Sequence, residues 1–125
     1  MTTLINILTK IRNASSVSKK TTTFRPSKLA VEVLKVLKNY HYIKDFSIKD
    51  DLVIVELMYN EEGIPAFRVL QAISKPGLKI YRPYKRFREH VSAPGMLIVS
   101  TSEGIMSHKE AVQKKIGGKV LCLVA

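Results

Sequence analysis

The sequence predicts an α+β chain of two small lobes: an α/β lobe over residues 1–74 and a mainly β lobe with one short helix over 75–125. Three observations predict it. Apolar residues recur at helical spacing in two early segments, fall into strand-length blocks later, and are interrupted at Lys75-Pro76-Gly77 by the clearest turn signal in the chain. No internal repeat or low-complexity tract is present. A chain of 125 residues buries roughly two-thirds of its unfolded surface, so each lobe is thin and expected to lean on the other.

Leu4, Ile5, Leu8 and Ile11 place an amphipathic helix over 3–15. Lys19 to Arg25 is polar and basic, and Thr21 to Thr23 suggests a loop running into a short strand. Pro26-Ser27 opens a second helix with Ser27 as N-cap. Ala30, Val33, Leu34 and Leu37 carry it to about Tyr40. Ile43 to Ile48 and Leu52 to Tyr59 form a hairpin turning at Lys49-Asp50-Asp51. Asn60-Glu61-Glu62-Gly63 is a further turn, and Ile64 to Ile73 continues that sheet. Beyond the Pro-Gly turn, Leu78 to Tyr81 and Met96 to Thr101 read as strands. Ser107 to Lys115 reads as a helix with a capping box, Ser107 being followed three residues later by Glu110. Lys114 and Lys115 suit its C-terminal dipole, Gly117-Gly118 ends it, and Lys119 to Val124 is a final strand.

Charge narrows the function. Twenty-one Lys and Arg face ten Asp and Glu, a formal excess of +11 with a pI near 9.9. A compact fold bears such self-repulsion best when a polyanion neutralises it, nucleic acid being the commonest. A membrane partner is not expected, because no apolar run approaches the roughly 20 residues of a spanning helix. Met1-Thr2-Thr3-Leu4 shows no charged segment ahead of an apolar one, so no secretory signal is expected either. A single cysteine, Cys122, excludes an internal disulfide framework and fits a reducing compartment.

The charges are also segregated. Lys10, Arg12, Lys19, Lys20, Arg25 and Lys28 meet no acid before residue 32, and Lys75, Lys79, Arg82, Lys85, Arg86 and Arg88 meet none between 75 and 88. Six of the ten acids lie instead between Asp45 and Glu62, so one basic face and one separate acidic edge are expected. A solvated lysine-rich surface is the alternative, which the size of the excess disfavours.

Two motifs add chemistry. Tyr81-Arg82-Pro83-Tyr84-Lys85-Arg86-Phe87-Arg88 interleaves aromatics with cations, a pattern able to stack bases and neutralise phosphates. Alternatively Tyr81 and Phe87 fill a core while the cations face outward. That reading is preferred for Phe87, and Tyr84 is kept as the candidate stacker. Ser100-Thr101-Ser102-Glu103-Gly104 places three hydroxyls and a glycine turn at a strand end, small groups able to approach a sugar edge or a phosphate. Ordinary turns hold such residues too. Gly117-Gly118 is a helix cap or a point of close backbone approach.

No enzymatic constellation is visible. His41, His90 and His108 are scattered, Cys122 lacks metal-ligand spacing, and no phosphate-binding glycine loop occurs. Asp50-Asp51 and Glu61-Glu62 fall at turns. No catalytic residue, cofactor, metal or small-molecule substrate is expected. Three functions stand against one another: a structural RNA-binding protein, a free RNA-binding regulator, and, least supported, a small hydrolase lacking any nucleophile–base pair.

The stretches Leu8-Thr9-Lys10-Ile11-Arg12-Asn13-Ala14, Ser74-Lys75-Pro76-Gly77-Leu78-Lys79-Ile80-Tyr81, Ser100-Thr101-Ser102-Glu103-Gly104-Ile105-Met106-Ser107 and Gly117-Gly118-Lys119-Val120-Leu121-Cys122 settle the choice. In that order and spacing they closely resemble the family of ribosomal protein eight of the small subunit, bacterial or organellar type, over essentially the whole chain. The resemblance implies two lobes and binding to a stem in the central domain of the small-subunit ribosomal RNA early in assembly, beside neighbouring ribosomal proteins. It places the protein on a ribosome, in a bacterial cytoplasm, a mitochondrion or a plastid. It implies that Ser100, Thr101 and Ser102 lie against the RNA minor groove, with Gly117 and Gly118 giving close approach beside them. Tyr81 and its nearby cations would contact the backbone, and Arg12 and Asn13 would serve a second RNA surface.

Three positions depart from the family pattern. Thr2-Thr3-Leu4-Ile5-Asn6 lacks the common acid at the start of the first helix. Lys119 replaces a glutamate, exchanging a hydrogen-bond acceptor for a phosphate-binding cation. Ala93-Pro94-Gly95 replaces a Gly-x-Gly and alters the loop before Met96.

Overall fold

The computed structural model describes residues 3–92 and 94–125, which divide into two compact units, Met1–Arg68 and Val69–Ala125. Met1, Thr2 and Ala93 lie outside the described residues, and with them the expectations for the extreme N-terminus and for Ala93 in the loop before Met96.

The first unit packs two helices on an antiparallel sheet. Helix α1, Leu4–Ser16, buries Leu4, Ile7, Leu8, Ile11 and Ala14 on one stripe. Ile7 takes the core place expected of Ile5, which is only half-buried. Thr3 caps the helix, its side chain accepting from the Asn6 N–H at 3.2 Å, so the terminus is capped without the missing acid. Helix α2, Lys28–Asn39, starts at Ser27, which accepts from the Ala30 N–H at 3.1 Å. Strands β1 (Thr21–Phe24), β2 (Ile43–Lys49) and β3 (Leu52–Leu57) form a sheet of order β1-β3-β2, with α1 against β1 and α2 against β2. Phe24, Ile43, Val53, Val55 and Leu57 are buried. Asp50 and Asp51 both have positive φ, 52° and 61°, the two-residue turn that matches strand twist.

The second unit is built around the last strand of the chain. Its strands are β4 (Leu70–Ala72), β5 (Tyr81–Arg82), β6 (Met96–Thr101), β7 (Gly104–Ser107) and β8 (Gly118–Val124). The order is β4-β8-β6-β7, with β5 also pairing β8. Between β4 and β5 the side chain of Ser74 closes the edge, donating to the Val120 carbonyl at 2.6 Å and accepting from the Ile80 N–H at 2.9 Å. Lys75 and Leu78 exchange both backbone hydrogen bonds around Pro76-Gly77, with Gly77 at φ +83°, a type II turn. A 3-10 helix, Tyr84–Glu89, and helix α3, His108–Lys114, bring Phe87 and Ala111 against Leu97, Val99, Met106 and Val120.

Sequence expectations change at several places. Only Leu70–Ala72 of the segment 64–73 is strand, and it pairs with β8, so it belongs to the second unit. Lys75-Pro76-Gly77 is accordingly a turn inside that unit. The strand expected over Leu78–Tyr81 is Tyr81–Arg82, the residues in register with β8, and Ile80 just before it accepts from the Val120 N–H. The basic aromatic segment is mostly 3-10 helix, unseen in the sequence. Finally, α3 ends not at Gly117-Gly118 but at Lys115, left-handed at φ +58°, with Ile116 N–H bonding back to the Ala111 carbonyl.

Candidate nucleic-acid interface

Strand register assembles the site. Tyr81 on β5 stands opposite Lys119 on β8, Lys119 opposite Ser100 on β6, and Ser100 opposite Ile105 on β7. Directly opposed residues share a sheet face, so an aromatic, a cation and a hydroxyl from distant parts of the sequence form one row. The next rank holds Arg82 opposite Gly118 and Thr101 opposite Gly104.

The aromatics of the basic segment divide. Phe87 is buried, 1% exposed, as preferred, and Tyr81 is 63% exposed, outside the core. Tyr84 is half-buried and packs against the core cluster. Alternate β-strand facing and a short helix produce this split; the free ring is Tyr81.

The hydroxyls divide as well. Thr101 Oγ1 donates to the Gly104 carbonyl at 2.8 Å and accepts from the Glu103 N–H at 3.1 Å, bracing the turn. Ser102 is exposed at its tip and makes no hydrogen bond among the described residues. Ser100 is half-buried on the strand. Gly104, at φ +114°, permits the turn. Glu103, the acid beside the tip, is matched by Lys114 Nζ at 3.7 Å.

Gly117 and Gly118 are places of close approach, but to the chain itself. A Cβ on Gly117 would lie 2.6 Å from the Arg82 carbonyl oxygen, and one on Gly118 would collide with that of Ser100. They let β5, β6 and β8 converge.

The cations are unequal. Arg86 grips Glu89 with two bonds, Nε to Oε2 at 2.6 Å and Nη2 to Oε1 at 3.1 Å. Arg82 Nε lies 3.8 Å from the same carboxylate, and its Nη1 donates to the Tyr81 carbonyl. The Arg86 bond, with Arg82 charge beside it, holds the Glu89 carboxyl below its ordinary range. The acid-free run 75–88 is therefore countered by the next residue, a pairing at i,i+3 that only a helical reading reveals. Lys75, Lys79, Lys85, Arg88 and Lys119 have no ion-pair partner among the described residues. The first four are exposed, and half-buried Lys119 follows the two glycines.

On the first unit, Lys10, Asn13, Lys19 and Thr21–Thr23 line a polar concavity of about 530 Å³. Arg12 is exposed on α1, with Nη2 3.4 Å from Thr9 Oγ1, and does not line it. Tyr59 donates its hydroxyl to the Lys19 carbonyl at 2.5 Å, and partial burial raises that phenol above its ordinary pKa.

Chemistry elsewhere is sparse. Cys122 is buried, its thiol pushed up to about 12 by desolvation, so it is not a nucleophile at neutral pH. Among the described residues no group of three His, Cys, Asp or Glu is placed to hold a metal ion, and no helix is long and apolar enough to cross a membrane.

The family model for ribosomal protein S8 matches residues 2–125. Small ribosomal subunit protein uS8 of Synechocystis is 37% identical over 98% of this chain and 96% of its own length. The uS8 protein of Acholeplasma laidlawii is 38% identical over 97% of this chain and 95% of its own. That of Helicobacter acinonychis is 35% identical over 94% and 92%. With one family spanning the two units and every motif of the row, the chain belongs to the ribosomal protein S8 family.

Proposed function

We propose that this chain is a structural constituent of the small ribosomal subunit that binds the central domain of its ribosomal RNA and stabilises that fold during assembly. Family membership supports the structural, non-enzymatic role on the ribosome. The row of Tyr81, Lys119 and Ser100, with Ser102 free at the turn beyond it, carries the RNA-binding reading. Unpaired cations neutralise phosphates, the exposed ring takes an unstacked base, and the hydroxyls reach the sugar edge of a wide RNA minor groove. A stem distorted to fit all three at once is preferred over a regular helix. Asn13 with Lys10 and Lys19 forms a second contact on the first unit, Arg12 flanking it on α1. Neighbouring ribosomal proteins complete the surroundings, in a bacterial cytoplasm or in an organelle.

The test is affinity for the central-domain stem of the matching RNA against a length-matched regular duplex across a salt series. A preference of a hundredfold or more, about 2.8 kcal/mol, that survives high salt is expected. Equal affinities with equal salt slopes would reduce the protein to a basic surface. Co-sedimentation with small subunits separates a ribosomal constituent from a free RNA-binding regulator.

A further inference from the structure

The second unit carries another concavity, which the strand row does not use. The 3-10 helix, the loop before β6 and α3 enclose about 550 Å³, within the range of small-ligand pockets. Its walls are apolar: Tyr84, Phe87, Val91, Pro94 and Val112. Its rim is cationic. Lys85, Arg88 and Lys109 line it, no acid does, and none of the three has an ion-pair partner among the described residues. His108 adds a directional group. Its Nδ1 accepts from the Leu97 N–H at 2.9 Å, so the neutral ring carries its proton on Nε2 and is a donor there.

We propose that this cleft takes one unstacked nucleotide of the bound RNA, its base against Tyr84 and Val112 and its phosphates on Lys85, Arg88 and Lys109. The inference rests on the RNA-binding reading and adds a site separate from the strand row. An aromatic wall, one fixed donor and three phosphate-binding cations are the features that single-stranded recognition needs: stacking, edge readout and backbone neutralisation. An acidic peptide would satisfy the rim alone, leaving the aromatic wall and the donor without a matching edge. The nucleotide uses all three.

The test uses the full chain, isotope-labelled, titrated with adenosine 5′-monophosphate, inorganic phosphate or adenosine. The nucleotide is expected to shift the amide signals of Val91, His108 and Val112 at concentrations at least tenfold below either half-molecule. In parallel, a stem with one unpaired adenosine is compared with the same stem fully paired. The wild type and Gln113→Glu, an equal charge change at the adjacent position, are expected to prefer the bulged stem tenfold or more. Val112→Glu is expected to lose that preference while still binding the paired stem. Unmoved signals, or a bulge preference that survives in Val112→Glu, would overturn the site and leave the strand row standing. Signals saturated by a Glu-Tyr repeat peptide but not by the nucleotide would overturn it too, assigning the cleft to a protein. Failure to bind either stem would instead remove the RNA reading on which it rests.

Discussion

Gly118 lies so close to Ser100 that a Cβ would fall on the Ser100 carbonyl oxygen. The glycine therefore serves the sheet before it serves any ligand, because β8 can reach β6 beside β5 only without a side chain there. Gly118→Ala forces backbone to move and is expected to destabilise by about 1–3 kcal/mol. A urea midpoint measures it. Unchanged stability with weakened RNA binding would return the residue to a contact role.

Ser102 and Thr101 adjoin in sequence but differ in duty. Ser102→Ala removes a free hydroxyl, so specific RNA binding should weaken by about 1 kcal/mol or more with no change in salt slope or stability. Thr101→Ala removes the brace across the turn and should lower stability by about 0.5–1.5 kcal/mol. Paired melting and binding curves distinguish them. Identical profiles for the two variants would sink the division.

Tyr81 is the exposed ring and Tyr84 the packed one. Tyr81→Ala is expected to weaken RNA binding by about 1–3 kcal/mol, the value of one stacked base, and to change stability by less than about 0.5 kcal/mol. Tyr84→Ala is expected to lower stability as well. Loss of stability in Tyr81→Ala with intact binding would reverse the assignment.

How far these assignments were visible in the sequence depends on the range of the interaction. Helices α1 and α2 were legible because Leu4, Leu8 and Ile11, or Ala30, Val33 and Leu37, state their period locally. The β2–β3 hairpin was legible because its turn and partner are adjacent. Strand β4 was not: three residues carry no period, and its partner Cys122–Val124 lies at the far end of the chain. Register hid the site for the same reason. Nothing near Tyr81 announces Lys119 opposite it, and nothing near Lys119 announces Ser100. The motifs named the residues of the row, while the pairing of Tyr81 with β8 and the packing of Tyr84 against the core cluster decided which ring is exposed. The 3-10 helix had one usable signal, Pro83 immediately before Tyr84, a residue type that favours the start of a helix. Reading it would have placed Arg86 and Glu89 one turn apart.

Glu89 pairs with two guanidinium groups of the basic segment, those of Arg82 and Arg86. Glu89→Gln removes its charge, so RNA affinity at low salt should rise. The slope of log K against log salt should steepen by about 0.9 for each added phosphate contact on duplex. Arg86→Ala should correspondingly flatten the slope less than Arg88→Ala, since Arg88 has no acid to leave. A salt series on the three variants checks both statements. A larger loss from Arg86→Ala would mean that RNA displaces Glu89 from its pair.

His108 sets a pH limit on the second unit. Burial holds its imidazole below the ordinary value of 6.5, and the charge of Lys109 acts in the same direction. Protonating Nδ1 would also forfeit the bond it accepts from Leu97. Unfolding releases the ring to its ordinary value, so as pH falls through that value the unfolded chain takes up the proton first. The unfolded state then binds more protons than the folded one, and stability must decrease with falling pH. Above about pH 7 both states hold a neutral ring and the contribution is constant. The expected urea midpoint is therefore flat from about pH 8 to 7 and declines from about 7 to 5, above the window where Glu89 and Asp45, both held below their ordinary values, begin to matter. Gln at position 108 can accept the same N–H without titrating, so His108→Gln should level that decline. A decline of equal size in His108→Gln would place the titrating group elsewhere.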